Sequence, residues 1–302
     1  MLRAAQTMQM AGELHRIMAA LEADAIDVMA FKGPVLSAFA YEDLGRLLSG
    51  DLDIVVRPSQ RSAAAASLAT LGYLAEEGYP PHFFEGDNEL VLRAPGRTEV
   101  DLHWALSPVY WMRFDLDQAF SRSQFVHLIG HRFRTLGTED MLLGLAIHHG
   151  RHCWERPAHV EDIVRLLRRH EIDWSLLADL AQAAGAQRVL LLALLLAERS
   201  APGLVPAPAL RRAQGDRNLQ VAIATIERNF TLRPDDFAGT LPGASLQLRL
   251  CDTWADRWRY VSGRGLKYSR RDSLHSGLGR QRRPGGSLCR LVRVTSKILR
   301  HG

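Results

Sequence analysis

The stretch Asp51-Leu52-Asp53-Ile54-Val55-Val56 constrains the fold more than any other, because it sets two carboxylates one residue apart at the head of an apolar run. Along a strand, side chains alternate between faces, so Asp51 and Asp53 share one face while Leu52, Ile54 and Val56 share the other. Such a strand needs a dry layer on one side and a source of positive charge on the other. Further along, Thr98-Glu99-Val100-Asp101-Leu102-His103-Trp104 repeats the alternation and supplies a third carboxylate, Asp101. Acids converging on one sheet edge repel unless a divalent cation lies between them, so the pattern reads as a magnesium site. A lone Asp-x-Asp is more often a solvated strand edge, and the surrounding residues tip the balance.

Upstream, Ile26-Asp27-Val28-Met29-Ala30-Phe31-Lys32-Gly33-Pro34 is an apolar stretch that ends in a cation and a glycine, and a helical pattern through Val35, Leu36 and Phe39 follows. Strand, tight turn, helix N-terminus and then the acidic strand form a phosphate cradle facing a metal. In it Lys32 is the phosphate counter-charge, and Gly33 lets the backbone approach; the competing reading of Lys32 is a solvated strand end. His103, two residues after Asp101, faces the same cleft, where it either contacts phosphate or supports the acids, or serves the fold alone.

These pieces together resemble the uncharacterised nucleotidyltransferases of the DNA-polymerase-β-like superfamily. The resemblance is carried by Phe31 to Leu36, by Arg46 through Ser49-Gly50-Asp51-Leu52-Asp53, by Val100 to Trp104, and by a later stretch with His148, His152, Trp154, Asp162 and Asp173-Trp174. It implies an α+β fold: a minimal nucleotidyltransferase domain, with a small mixed sheet and flanking helices, followed by a helical bundle. It also implies two magnesium ions, with manganese as the alternative; Asp51 and Asp53 bind both ions, and Asp101 binds the ion at the attacking oxygen. Arg46, Ser49 and Gly50 then belong to triphosphate binding, and His152 and Asp162 shape an acceptor pocket. In the wider superfamily the first turn reads Gly-Gly or Gly-Ser. Here it reads Lys32-Gly33-Pro34, and Pro34 has neither hydroxyl nor N–H, so Lys32, Arg46 or Ser49 must compensate.

The implied reaction moves a nucleoside monophosphate from a nucleoside triphosphate, with ATP the expected donor, to a hydroxyl or phosphate of an acceptor that is a small molecule, a peptide or RNA. Two alternatives stand beside it: an inactive nucleotide-binding or partner-binding protein, and an RNA- or peptide-modifying enzyme recruited through a basic tail. That tail is evident in the charge distribution. Residues 262–302 carry a net +10, against −5 for the first 261 residues, so a polyanion is a candidate partner, and a solvated end that binds nothing is the competing reading. Glycines and Pro284 punctuate the tail as far as Ser287, and Leu288, Leu291, Val292, Ile298 and Leu299 follow with the spacing of a short basic amphipathic helix.

With 302 residues and 47% hydrophobic content, the chain accommodates two packed domains. The periodicity predicts a catalytic domain over 1–136, a helical domain covering the cleft over 137–260, and a basic tail over 261–302. The opening helix is expected from Thr7 to Ala23, a hairpin around Gly130, and a buried helix at Val189 to Ala197, which is too short to cross a bilayer. Cys153, Cys251 and Cys289 are widely spaced, which argues for a reducing cytoplasm rather than a disulfide framework, and the family resemblance implies a bacterial protein. His148 and His152 share a helical face, but the segment lacks the glutamate of the zinc-protease signature, so a hydrogen-bonded scaffold is the expected role. Trp254 and Trp258, one turn apart, read as packing residues.

Overall fold

The computed structural model describes residues 2–41, 50–75, 88–232 and 237–266. In chain order the first elements are α1 (Leu2–Ala23), β1 (Val28–Ala30), α2 (Gly33–Ala40), β2 (Asp51–Val56), α3 (Arg61–Thr70), β3 (Leu74–Ala75), β4 (Glu89–Arg93), β5 (Glu99–His103), α4 (Leu116–Ser121), β6 (Gln124–Leu128) and β7 (His131–Thr135). Helices follow: α5 (Thr138–Arg151), α6 (Pro157–Arg169), α7 (Trp174–Ala184), α8 (Gln187–Ser200), α9 (Ala207–Gly215), α10 (Arg217–Leu232), α11 (Leu241–Arg249) and α12 (Trp254–Leu266). Among them no helix is long and apolar enough to cross a membrane. The fold is α+β, a mixed sheet with flanking helices followed by a run of helices.

Packing divides the chain into two compact units. The first comprises residues 1–109, 114–146 and 161–180, and the second residues 110–113, 147–160 and 181 onward, so the division runs through α5, α6 and α7.

In the first unit the described strands form one sheet in the order β3-β4-β5-β2-β1-β7-β6, with β2/β5 and β1/β7 parallel and the other neighbours antiparallel. One face of the central pair is dry. Leu52, Ile54 and Val56 of β2 and Val100 and Leu102 of β5 pack in one core with Met10, Leu14, Ile17, Met18 and Leu21 of α1. The α1 residues recur at helical spacing, and each large apolar side chain fully buried contributes about 1.5–3 kcal/mol. This core fixes the faces of β2 and β5. A one-residue slip would turn the acids into the hydrocarbon layer, so the register of the acids is enforced from the opposite side of the sheet.

In the second unit, Val189 to Ala197 of α8 are all buried. Asp252 accepts the backbone N–H groups of Gln187 and Arg188 at 2.8 and 2.9 Å, satisfying donors in the first turn of α8. Gln247 links several elements: its Nε2 donates to Arg151 O at 2.7 Å, and its Oε1 accepts from Tyr260 and Arg264 at 2.7 and 2.8 Å. Cys153 and Cys251 are buried free thiols, and burial pushes both up to about 12. Trp254 and Trp258 are not packing residues. They are 81% and 69% exposed, with the Arg257 guanidinium over the Trp254 ring, because the buried stripe of α12 runs through Asp256 and Tyr260 instead.

Candidate active site

The parallel pairing of β2 with β5 sets Asp53 beside Asp101, Asp51 beside Glu99 and Val55 beside His103. Adjacent strands lie about 4.8 Å apart, so carboxylates in register on one face are brought within a metal's span. Among the described residues, one group of side chains offers ligand atoms all within 4.8 Å of one another: Asp53, Asp101 and His103. Asp51, half-buried one step nearer the start of β2, lies outside that group.

Lys32 is placed by a short chain of constraints. The Phe31 N–H donates to Asp53 O at 3.1 Å and pins the segment onto β2, while the Phe31 ring lies against Gly144 of α5, where a Cβ would come within 3.1 Å of it. Lys32 is extended, Gly33 follows at φ +60°, and Pro34 sits in the first turn of α2. Only glycine takes that φ without strain, and proline's missing N–H costs nothing there. The chain thereby turns sharply, and Lys32 Nζ lies 2.7 Å from Asp53 Oδ1. The same oxygen is 2.9 Å from His103 Nε2. Lys32 is also the one lysine before position 267, in a span whose other fixed cations are arginines. An ammonium is a compact point charge and a guanidinium a broad planar fork, so the two are not interchangeable beside Asp53.

The charges divide unevenly. Burial works to raise the Asp53 carboxyl, but the Lys32 ammonium and the His103 ring outweigh it and hold Asp53 down at about 2. Burial also works against a charged His103, yet hydrogen bonding to Asp53 and the charge of Glu89 lift it to about 9. At Asp101 the His103 charge also pulls downward but is outweighed. Burial, and then the adjacent Asp53 charge, push it up to about 7. Asp53 Oδ2 and Asp101 Oδ1 are buried with no hydrogen-bond partner among the described residues. Buried carboxylate oxygens left in this state are costly unless something fills the gap. A divalent cation fits: it would satisfy both oxygens and pull Asp101 into its ionised form.

Glu89 was not among the residues singled out from sequence. The antiparallel β4/β5 register puts it opposite His103, with Oε2 3.3 Å from His103 Nδ1. The segment Glu89-Leu90-Val91-Leu92 shows no polar/apolar alternation in sequence, and which residue Glu89 would face depends on register. Arg46 and Ser49 lie outside the described residues; Gly50 is exposed in a bend just before β2. A cavity of about 460 Å³ opens there, lined in part by Gly50, Thr98, Glu99, Arg93 and Arg97. Asp162 belongs to the first unit, where it accepts the Tyr41 hydroxyl at 2.5 Å. His152 belongs to the second, with Nε2 3.2 Å from an Arg151 nitrogen.

The sequence profile of a family described as uncharacterised nucleotidyltransferase matches residues 2–202. The chain belongs to this family. The matched span runs from α1 to just past α8, so it holds the sheet, the acids and the first helices after them. No curated protein matches this nucleotidyltransferase. Among solved structures, it is similar to the solution structure of the antibiotic-resistance factor ANT(2'')-Ia, at 15% identity over 59% of this chain and 88% of that one, with a TM-score of 0.37. It is also similar to the crystal structure of ANT(2'')-Ia in complex with adenylyl-2''-tobramycin, at 16% identity over 63% and 98%, with a TM-score of 0.36. Likeness this loose says nothing of the site or its substrate.

Proposed function

We propose that this nucleotidyltransferase moves a nucleoside monophosphate from a nucleoside triphosphate, ATP by default, onto an acceptor hydroxyl or phosphate, with release of pyrophosphate and with dependence on divalent metal. The observation that carries this reading is the in-register pair Asp53 and Asp101, each with a buried oxygen that lacks a hydrogen-bond partner among the described residues. Two ions, magnesium by default, would be held by Asp53 and Asp101 with Asp51 beside them, and would supply Lewis-acid stabilisation of the charge that builds on the phosphate oxygens.

The chain's own residues act by position and charge. Lys32 presents a fixed ammonium at the N-terminal end of α2, where phosphate oxygens also meet first-turn N–H groups. Asp101, the acid whose ionisation is most disfavoured, is placed to take the acceptor's proton as the oxygen attacks. Asp53, held ionised by Lys32 and His103, stays an anion throughout. Arg46, Ser49 and Gly50 complete the triphosphate contacts in this reading. His152 and Asp162 are not carried forward as an acceptor pocket, because Asp162 is committed to Tyr41.

One observation favours a polyanionic acceptor. Exposed Trp254 and Trp258 on α12, beside Arg257, lead directly into the basic residues 267–302, and aromatic faces beside cations suit RNA or an acidic peptide. The retained acids weigh against an inactive binding protein. The deciding experiment incubates the protein with each α-labelled nucleoside triphosphate, a divalent metal, and panels of metabolites, peptides and RNA. Label transfer to one panel identifies the acceptor class. Absence of transfer and of pyrophosphate release across all panels would refute the reading.

A further inference from the structure

Resting on the metal-dependent reading above, we propose that His103 is itself a metal ligand. Its Nε2 joins Asp53 and Asp101 in a mixed nitrogen–oxygen site whose natural occupant is manganese(II) rather than magnesium, and Glu89 is the positioning residue that orients the ring.

The first support is geometric. His103 belongs to the group whose ligand atoms lie within 4.8 Å of one another, and Asp51 does not. The 2.9 Å between His103 Nε2 and Asp53 Oδ1 matches the edge of an octahedron with bonds of about 2.1 Å, where neighbouring ligands are about 3 Å apart. His103 and Asp53 are each 2% exposed, so both donors are held in place by the surrounding fold.

The second support is the far side of the ring. A metal-bound histidine generally gives its other N–H to a carboxylate or carbonyl, which fixes tautomer and orientation. Here Nδ1 faces Glu89 Oε2 at 3.3 Å, an approach that stops short of an aligned hydrogen bond. Asn88 Nδ2 donates to that oxygen at 3.0 Å and steadies it. With Nδ1 facing Glu89, the metal would displace the Nε2 proton that bonds Asp53 in its absence, and the freed lone pair would face the acids.

The third support is ligand chemistry. Magnesium prefers oxygen ligands and retained waters, whereas imidazole nitrogen shifts preference toward manganese and later first-row metals. Two carboxylates and open positions for phosphate oxygens favour an octahedral ion over tetrahedral zinc.

The test reads ligation directly. Full-length protein loaded with manganese(II), unlabelled or with ¹⁵N-histidine, is examined by electron spin-echo envelope modulation, and manganese and magnesium affinities are measured by calorimetry. The expected result is a directly bound nitrogen signal that changes with the label and vanishes in His103→Ala or, should that variant misfold, in His103→Asn. His103→Ala should also cost manganese affinity about 10–100-fold while altering magnesium affinity far less. Glu89→Gln should keep the nitrogen signal and lower the manganese-to-magnesium ratio at unchanged circular dichroism. Bound manganese with no histidine nitrogen, or a nitrogen signal that persists without His103, overturns the inference and leaves nucleotidyl transfer intact. Failure to bind either ion, even beside a non-hydrolysable triphosphate, overturns both.

Discussion

The two places where this chain concentrates titratable side chains behave in opposite ways. In the first unit, Asp53, Asp101 and His103 aim donor atoms at one another within 4.8 Å. In the second, His149 stacks on His159 with ring centroids 4.3 Å apart and planes at 13°, while His148 lies 4.7 Å from His152 and 5.5 Å from His149. Stacked rings show each other their faces, not their lone pairs, and none of these histidines joins a metal-spaced group among the described residues. The difference is one of backbone periodicity. Parallel strands hold matched residues abreast on one face, whereas a helix fans neighbours by about 100° and lets only residues three or four apart meet, side by side. Richness in potential ligands therefore says little until the backbone decides whether their donor atoms converge.

The contrast is broken most sharply at Asp101. Asp101→Asn should lower turnover at least about a thousandfold, since the anion that meets the metal is gone. The same change should raise the thermal midpoint of the metal-free protein at pH 8. The sign follows from the shift: the folded carboxyl titrates near 7, above its unfolded value, so stability falls as pH rises between the two and the full cost is present above pH 7. Asparagine removes that cost. A midpoint unchanged or lowered in differential scanning fluorimetry would show that Asp101 is not strained by its neighbours.

Asp53→Asn should do the reverse, destabilising by about 3–5 kcal/mol in urea melts, because it strands Lys32 and His103 beside an uncharged amide. Lys32→Arg keeps the charge but not the compact shape, and turnover should fall at least about tenfold; parity with the parent would mean that any cation suffices. Metal affinity of the unaltered protein should rise with pH, most steeply below pH 7, where Asp101 and His103 both give up a proton to the metal, and by about tenfold per pH unit between 7 and 9, where only the His103 proton is displaced. A flat calorimetric profile from pH 5 to 8 would remove Asp101 from the metal site. The smallest effect is expected among the histidines. His152→Ala, at a partly exposed position, should shift stability by no more than about 0.5 kcal/mol and metal affinity not at all; a loss of metal binding there would erase the distinction between the two clusters.

Much of the first unit was legible because its signals are local. Alternation in Asp51–Val56 and Glu99–His103 named the strands and their dry faces, and Gly130 marked the hairpin of β6 and β7; in the second unit the uniform apolar run at Val189–Ala197 announced a buried helix. Where the reading failed, the missing information was a partner. Trp254 and Trp258 have the spacing of a packing pair, yet α12 buries the stripe through Asp256 and Tyr260, a rotation that spacing alone does not reveal. Glu89 was invisible for want of its partner, His103 on the neighbouring strand.

By itself the sequence determined the chemistry on offer: paired acids on one strand, a third on another, a lysine and a glycine at a tight turn before a helix, all within a family-wide span. Those are consequences of side-chain period and backbone sterics, which act over a few residues. Only the tertiary structure decided which acids meet. The parallel β2/β5 register made neighbours of Asp53 and Asp101 and set Asp51 apart, and the β4/β5 register placed Glu89 behind His103. Register is fixed by the burial of Leu52, Ile54, Val100 and Leu102 against α1, a free energy spread across segments far apart in the chain, and no single stretch contains it.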